Sequence, residues 1–285
     1  MMARRVHWRA ALAKSRYAAV LALFVLLGFL PARTCFAVDI SIIKATVGGV
    51  DINVFFYQPD GAGPFPLLIL SHGSPRAPED RVHFGPQTFH VQAEAYADGG
   101  VAVAVPIRRG YAGQGQYAEG FGDNSNPDFY DAGLATADDI DAAIAAVLKR
   151  PDIDPSRVVL MGVSAGGWGS IAAATRGGVL GVVNFAGGRG SVGPNDVPGA
   201  ATLVQAAARY GAASHVPELW IYSQNDQFFG PPLAHQLFDA FNGAGGKAAF
   251  IAAPPYRNDG HTYIAAINDW KPEVDQFLRK IGFLK

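Results

Sequence analysis

The chain has 285 residues, 49% of them hydrophobic and 16% charged, with 23 Lys/Arg against 24 Asp/Glu and one cysteine. This is enough for one sizeable core, and beyond the first 37 residues it offers no basic tract for nucleic acid or an anionic membrane surface. No His/Cys/Asp/Glu group has metal-ligand spacing, and no G-x-G-x-x-G follows a strand, so neither a metal nor a nicotinamide cofactor is implied.

Taken in chain order, residues 1–37 read as a secretory signal: Arg4, Arg5, Arg9, Lys14 and Arg16, then an apolar run over 18–30, then Cys35-Phe36-Ala37 as a small-residue cleavage site. The thirteen residues of that run fall short of the roughly 18–20 that span a bilayer. Kept in place, the same segment would be an anchor. Cleavage would take six of the 23 Lys/Arg and none of the 24 Asp/Glu, leaving residues 38–285 at net −7 and without a cysteine. The expectation is a periplasmic or secreted domain, stabilised by its core rather than by a disulfide and with no stable membrane insertion.

Residues 40–47 and 51–57 flank Gly48-Gly49 and predict an antiparallel hairpin. Short apolar runs at 66–70, 101–105, 157–163, 180–185, 218–222 and 247–252 predict strands buried on both faces. Helix-compatible stretches fall between or after them, at 88–98, 133–149, 167–176, 200–210, 233–242 and 270–280. The alternation predicts an α/β fold: a mostly parallel eight-stranded sheet with helices on both faces. The Gly-, Tyr- and Asp-rich segment 107–130 has no period. Such a long loop at a strand's C-terminal end predicts a wall of a ligand site.

Gly162-Val163-Ser164-Ala165-Gly166 directly follows the apolar run Arg157–Met161. A G-x-S-x-G pentapeptide between strand and helix holds a serine in a sharp turn and aims the helix N-terminus at the same spot. The plain alternative is an ordinary turn serine. Asp226 lies just past one predicted strand and His261 just past the next, so the order Ser, Asp, His puts a nucleophile, an orienting acid and a base on one rim of the sheet. Asp259 competes with Asp226 as the acid, although two residues before His261 it seldom reaches Nδ1 while leaving Nε2 free. His72 suits shaping the turn beside Gly73 better than acting as base. His83 and His90 are either pocket-lining or solvated, and His215 and His235 are structural. Arg108 and Arg109 have two readings, a clamp for a substrate carboxylate or pins for the long loop. Tyr111 and Trp168 likewise either stack on substrate or pack in the core.

With His72-Gly73, Arg108-Arg109-Gly110-Tyr111, the Gly162–Gly166 elbow, Asn225-Asp226 and Gly260-His261, the chain resembles the α/β-hydrolase superfamily, and more closely its dienelactone-hydrolase-like branch, over about 40–283. The resemblance implies Ser164 as nucleophile, Asp226 as acid and His261 as base. It also implies an oxyanion hole from the N–H of Ala165 and that of Gly73 or Ser74. Authentic dienelactone hydrolases carry cysteine at the elbow, so the serine shifts the expectation from a dienelactone to an ester. The dozen or so residues between 186 and 200 leave no room for a large lid, so the cap is minimal and short acyl groups are expected. The function expected is a cofactor-free serine hydrolase acting on small-molecule carboxylic esters through an acyl-enzyme. The alternatives are a prolyl-peptidase-like peptidase or amidase, and a catalytically silent binding module.

Overall fold

The computed structural model describes residues 38–285; the secretory reading of 1–37 lies outside the described residues. Eight strands form one sheet: β1 (Asp39–Val47), β2 (Val50–Gln58), β3 (Phe65–Ser71), β4 (Ala102–Pro106), β5 (Ile153–Val163), β6 (Gly181–Phe185), β7 (Pro217–Ser223) and β8 (Lys247–Ala253). Their order is β1-β2-β4-β3-β5-β6-β7-β8. β2 runs antiparallel to β1 and to β4, and every other pairing is parallel. Val47 pairs with Val50, so the hairpin turn is Gly48-Gly49 alone, with φ of 57° and 78°. Two positive φ values at a two-residue loop match the right-handed twist of the strands it joins.

Six helices cover the sheet: α1 (His90–Ala97), α2 (Phe129–Val147), α3 (Ala165–Ala174), α4 (Ala200–Ala213), α5 (Pro231–Gly243) and α6 (Ile267–Lys280). Central strands feed two cores in alternation, as a period of two requires. Leu67 and Ile69 of β3 join Trp168, Trp220 and Ile140 on the face of α2 to α5. Leu68 and Leu70 join Val103, Tyr96 and Trp270 on the face of α1 and α6. Each such fully buried side chain contributes about 1.5–3 kcal/mol, a source of stability that needs no disulfide. Among the described residues no helix is long and apolar enough to cross a membrane.

Two boundaries differ from the sequence reading by four residues. α2 begins at Phe129 rather than 133 because the Asp128 side chain accepts the Asp131 N–H at 2.9 Å and caps it. β5 begins at Ile153, four residues early: Ile153 pairs with Phe65, then the ladder slips and resumes at Val158 with Leu67. The slip contains Pro155, which has no N–H for the ladder.

β7 buries one carboxyl, Glu218, that has no cation beside it among the described residues. Glu218 accepts from Trp220 Nε1 at 2.7 Å and Ser214 Oγ at 2.9 Å, and burial, outweighing these bonds, pushes it up to about 8. The native state therefore holds a proton that the unfolded chain releases near the ordinary Glu value of about 4.3. Stability is complete below that value and falls as pH rises towards about 8. Glu218→Gln keeps the acceptor and cannot ionise. Its melting temperature should be flat from pH 5 to 8 where the wild type declines, as differential scanning fluorimetry will show.

Candidate active site

The turn from β5 into α3 carries Ser164 at φ 56° and ψ −125°, a backbone state that persists only where its surroundings enforce it. A Cβ on Gly162 would lie 2.4 Å from Gly166 O, and one on Gly166 would lie 2.1 Å from Ser71 O. Both flanking positions therefore admit only glycine. The Ser164 N–H is tied to Phe185 O at 2.9 Å, and its carbonyl accepts the Trp168 N–H at 2.9 Å as the first bond of α3. Its hydroxyl faces an open cleft and makes no hydrogen bond to a described residue. Serine–imidazole bonds are often loose before substrate arrives.

The loop after β7 supplies Asp226 and the segment after β8 supplies His261. Asp226 is buried; its Oδ1 accepts the N–H groups of Phe228 at 2.7 Å and Phe229 at 2.9 Å, which fixes the carboxylate plane. His261 Nδ1 stands 3.1 Å from Asp226 Oδ2 and 3.2 Å from Oδ1. A proton on Nδ1 is thereby held by the carboxylate, which leaves Nε2 as the free acceptor. The Phe228 ring lies parallel on the imidazole, 3.9 Å between centroids and 9° between planes. Asp259 faces elsewhere: its Oδ1 accepts the backbone N–H groups of His261 at 2.9 Å and Gln227 at 3.0 Å, joining the two loops.

Beside the serine, a methyl group on Gly73 would come 3.2 Å from Ser164 Cβ, so the turn after β3 borders the hydroxyl. Among the described residues neither the Gly73 nor the Ser74 N–H meets an acceptor. The Ala165 N–H opens α3, ahead of its first i→i−4 bond. His72 holds this turn. Burial first, and Arg108 second, keep its imidazole well below the usual histidine range, hence neutral. Its Nδ1–H donates to Gly73 O at 2.7 Å and its Nε2 accepts the Arg108 N–H at 3.3 Å.

The cleft over Ser164 and Ala165 has a volume of about 370 Å³. Its walls include Tyr117, Phe121, Phe228 and Phe229, together with Arg76, Arg81 and Arg189, and no Asp or Glu lines it. Arg76 donates to Ser191 Oγ at 2.8 Å, Gly193 O at 3.0 Å and Gln227 O at 3.3 Å, all uncharged. The Arg81 guanidinium lies 3.4 Å from the Tyr117 ring centroid, and its Nε is buried without an acceptor. Arg189 is the exception, paired to Glu119 at 2.7 Å. Among the described residues no group of three His, Cys, Asp or Glu could hold a metal ion.

A sequence model of the alpha/beta hydrolase family matches residues 68–282. The chain belongs to this family. Its eight-stranded, mostly parallel sheet with helices on both faces is that fold, including the expected minimal cap: between β6 and α4 only an isolated Gly193–Asp196 bridge forms. Solved structures agree in architecture. An acylaminoacyl peptidase of Pyrococcus horikoshii superposes with a TM-score of 0.62 at 14% identity, over 88% of this chain but 42% of its own. This hydrolase thus spans about two fifths of that peptidase. A dienelactone hydrolase candidate from Klebsiella pneumoniae gives 0.60 at 15% identity, over 87% of this chain and 99% of its own. An esterase of Pyrococcus furiosus gives 0.59 at 12%, over 85% and 93%. No curated protein matches the sequence.

Four residues of the hydrolase for which the sequence left both a substrate role and a structural role open are placed away from the cleft. Arg108 is fully buried, bonded to Glu119, to His72 O at 2.5 Å and to Ser71 Oγ at 3.1 Å. Burial alone would push the Glu119 carboxyl up; Arg108 and Arg189 together reverse that and hold it well below the carboxylate range. This buried triad pins the 107–128 loop under the cleft. Arg109 turns to Asp139 at 2.6 Å. Tyr111 is buried with its hydroxyl 3.1 Å from Glu119 Oε2, and Trp168 Nε1 donates to Phe129 O at 2.8 Å within the core. The clamp reading thus gives way to the pin reading. The loop does reach the cleft, through Tyr117, Phe121 and Asn124. His83 and His90 lie outside the cleft beside Asp80 and Glu94. His235 packs on Phe250, and His215 is exposed. Sequence reasoning missed Arg76, Arg81, Arg189 and Phe228. The available signals were the arginine two residues past Gly73-Ser74 and the aromatic pair that begins two residues after Asp226.

Proposed function

We propose that the chain is a serine hydrolase that cleaves small carboxylic esters through an acyl-enzyme. One observation carries the reading: an imidazole locked by a buried carboxylate on Nδ1, on the same sheet rim as a serine held in a strained turn at the floor of an open cleft. Ser164 Oγ attacks the ester carbonyl while its proton passes to His261 Nε2, and Asp226 steadies the imidazolium. The developing oxyanion is met by the Ala165 N–H and that of Gly73 or Ser74. The alkoxide leaves with the proton from His261. Water then attacks the acyl-enzyme, giving its proton to His261, and Ser164 regains a proton as the acid departs. The basic and then apolar sequence of 1–37 supports a periplasmic or secreted setting for this chemistry.

The small cleft supports short acyl groups, and each CH₂ left in water forfeits about 0.8 kcal/mol. Its unpaired arginines support an ester that also carries a carboxylate. On p-nitrophenyl esters from acetate to palmitate, kcat/KM should peak at about two to six acyl carbons, and a hemisuccinate ester should outrun the butyrate. Arg81→Gln should reduce that preference about tenfold, the scale of one charge-assisted bond. A maximum at palmitate would overturn the short-acyl reading. Faster cleavage of a dipeptide anilide than of any ester would make the protein a peptidase.

A further inference from the structure

The cleft over Ser164 stops at one aromatic ring. Phe228 lines the cleft and also a second groove, of about 600 Å³, whose walls include Val197, Pro231, Pro232 and Leu233. That groove lies beside the N-terminus of α5; Asn195, Asp196 and Gln236 also line it, so its apolar part is the strip of Val197, Pro231, Pro232 and Leu233. The ring is clamped. The His261 imidazole lies parallel on it, 3.9 Å between centroids, and the Arg76 guanidinium carbon stands 3.5 Å from its centroid. With one face covered by the imidazole, the guanidinium has only the other. Arg76 is itself fastened to Ser191, Gly193 and Gln227, so the ring cannot swing aside without disturbing three hydrogen bonds.

We propose that Phe228, clamped by Arg76, sets the upper length of the acyl group, and that the groove beyond it is a latent subsite for an apolar acyl tail. The proposal rests on the serine-esterase reading above and names what limits its substrate. Phe228 follows Asp226 by two residues and takes its N–H bond to the Asp226 carboxylate. One short loop therefore supplies both the orienting acid and the length limit. A tail extended past the ring would run along Val197, Pro231 and Leu233, and each CH₂ buried there is worth about fourfold in kcat/KM.

The test compares kcat/KM for p-nitrophenyl acetate and octanoate in the wild type, in Phe228→Ala, and in Phe228→Ala combined with Leu233→Trp, which fills the groove. Phe228→Ala should lower acetate turnover, because His261 loses its stacking partner, yet raise the octanoate-to-acetate ratio at least tenfold, a gain of more than one buried CH₂. Adding Leu233→Trp should return the ratio to the wild-type value. An unchanged ratio in Phe228→Ala, or a rise that Leu233→Trp leaves intact, overturns the proposal. Should Phe228→Ala not fold by circular dichroism, Arg76→Ala decides: it keeps the ring but releases it, so the ratio should rise, and a wild-type ratio overturns the proposal. Failure of the esterase reading looks different. The wild type itself would then neither cleave acetate nor react with a fluorophosphonate.

Discussion

Ser164→Ala should fold like the wild type and lose ester turnover by about 10⁴–10⁶ in kcat. The Ser164 side chain makes no hydrogen bond to a described residue, so its removal leaves nothing unpaired in the fold. Alanine keeps the Cβ, and the unusual φ of 56° is imposed by the close approach of Gly162 to Gly166 and of Gly166 to Ser71, which the substitution does not touch. Matching circular dichroism and melting temperature with abolished activity is the expected pair of results. More than a tenth of wild-type turnover would remove Ser164 from the role.

Asp226→Asn should cost about 10⁴ in kcat, and Asp259→Asn, which keeps an oxygen acceptor for the same two backbone N–H groups, should stay within about threefold. The difference follows from the acceptors. Oδ1 of Asp226 receives two backbone N–H groups, so the amide oxygen of an asparagine must take that place. Its NH₂ then occupies the Oδ2 position, 3.1 Å from His261 Nδ1. A donor there forces the imidazole proton onto Nε2, and the ring can no longer accept from serine. Oδ1 of Asp259 also receives two backbone N–H groups, but the imidazole is not among its partners. Steady-state kinetics on an acetate ester ranks the two variants, and the reverse ranking would move the acid role to Asp259.

What could be read beforehand was local. The elbow glycines, the strand runs and the positions just past β7 and β8 are encoded within a few residues each, and the fold followed from their alternation. What could not be read depends on partners far along the chain. Arg108 is a pin because Glu119 and Arg189 meet it, and no spacing rule joins residues 108, 119 and 189. The N-terminus of α2 was misplaced because Asp128 caps it from within a loop without period, and that of β5 because a strand broken at Pro155 resumes after a slip. Phe228 is not singled out by the sequence reading at all. Its importance lies in what covers its two faces, the His261 ring and the Arg76 guanidinium.

Covalent labelling shows whether Ser164 is an activated nucleophile. Purified protein is treated with a fluorophosphonate and digested, and the adduct is located by mass spectrometry. A single phosphonyl adduct on Ser164 is expected, formed rapidly in the wild type, slowed by orders of magnitude in His261→Ala and absent from Ser164→Ala. Folded wild-type protein that stays unlabelled, or carries the adduct on another residue while still cleaving ester, would contradict it.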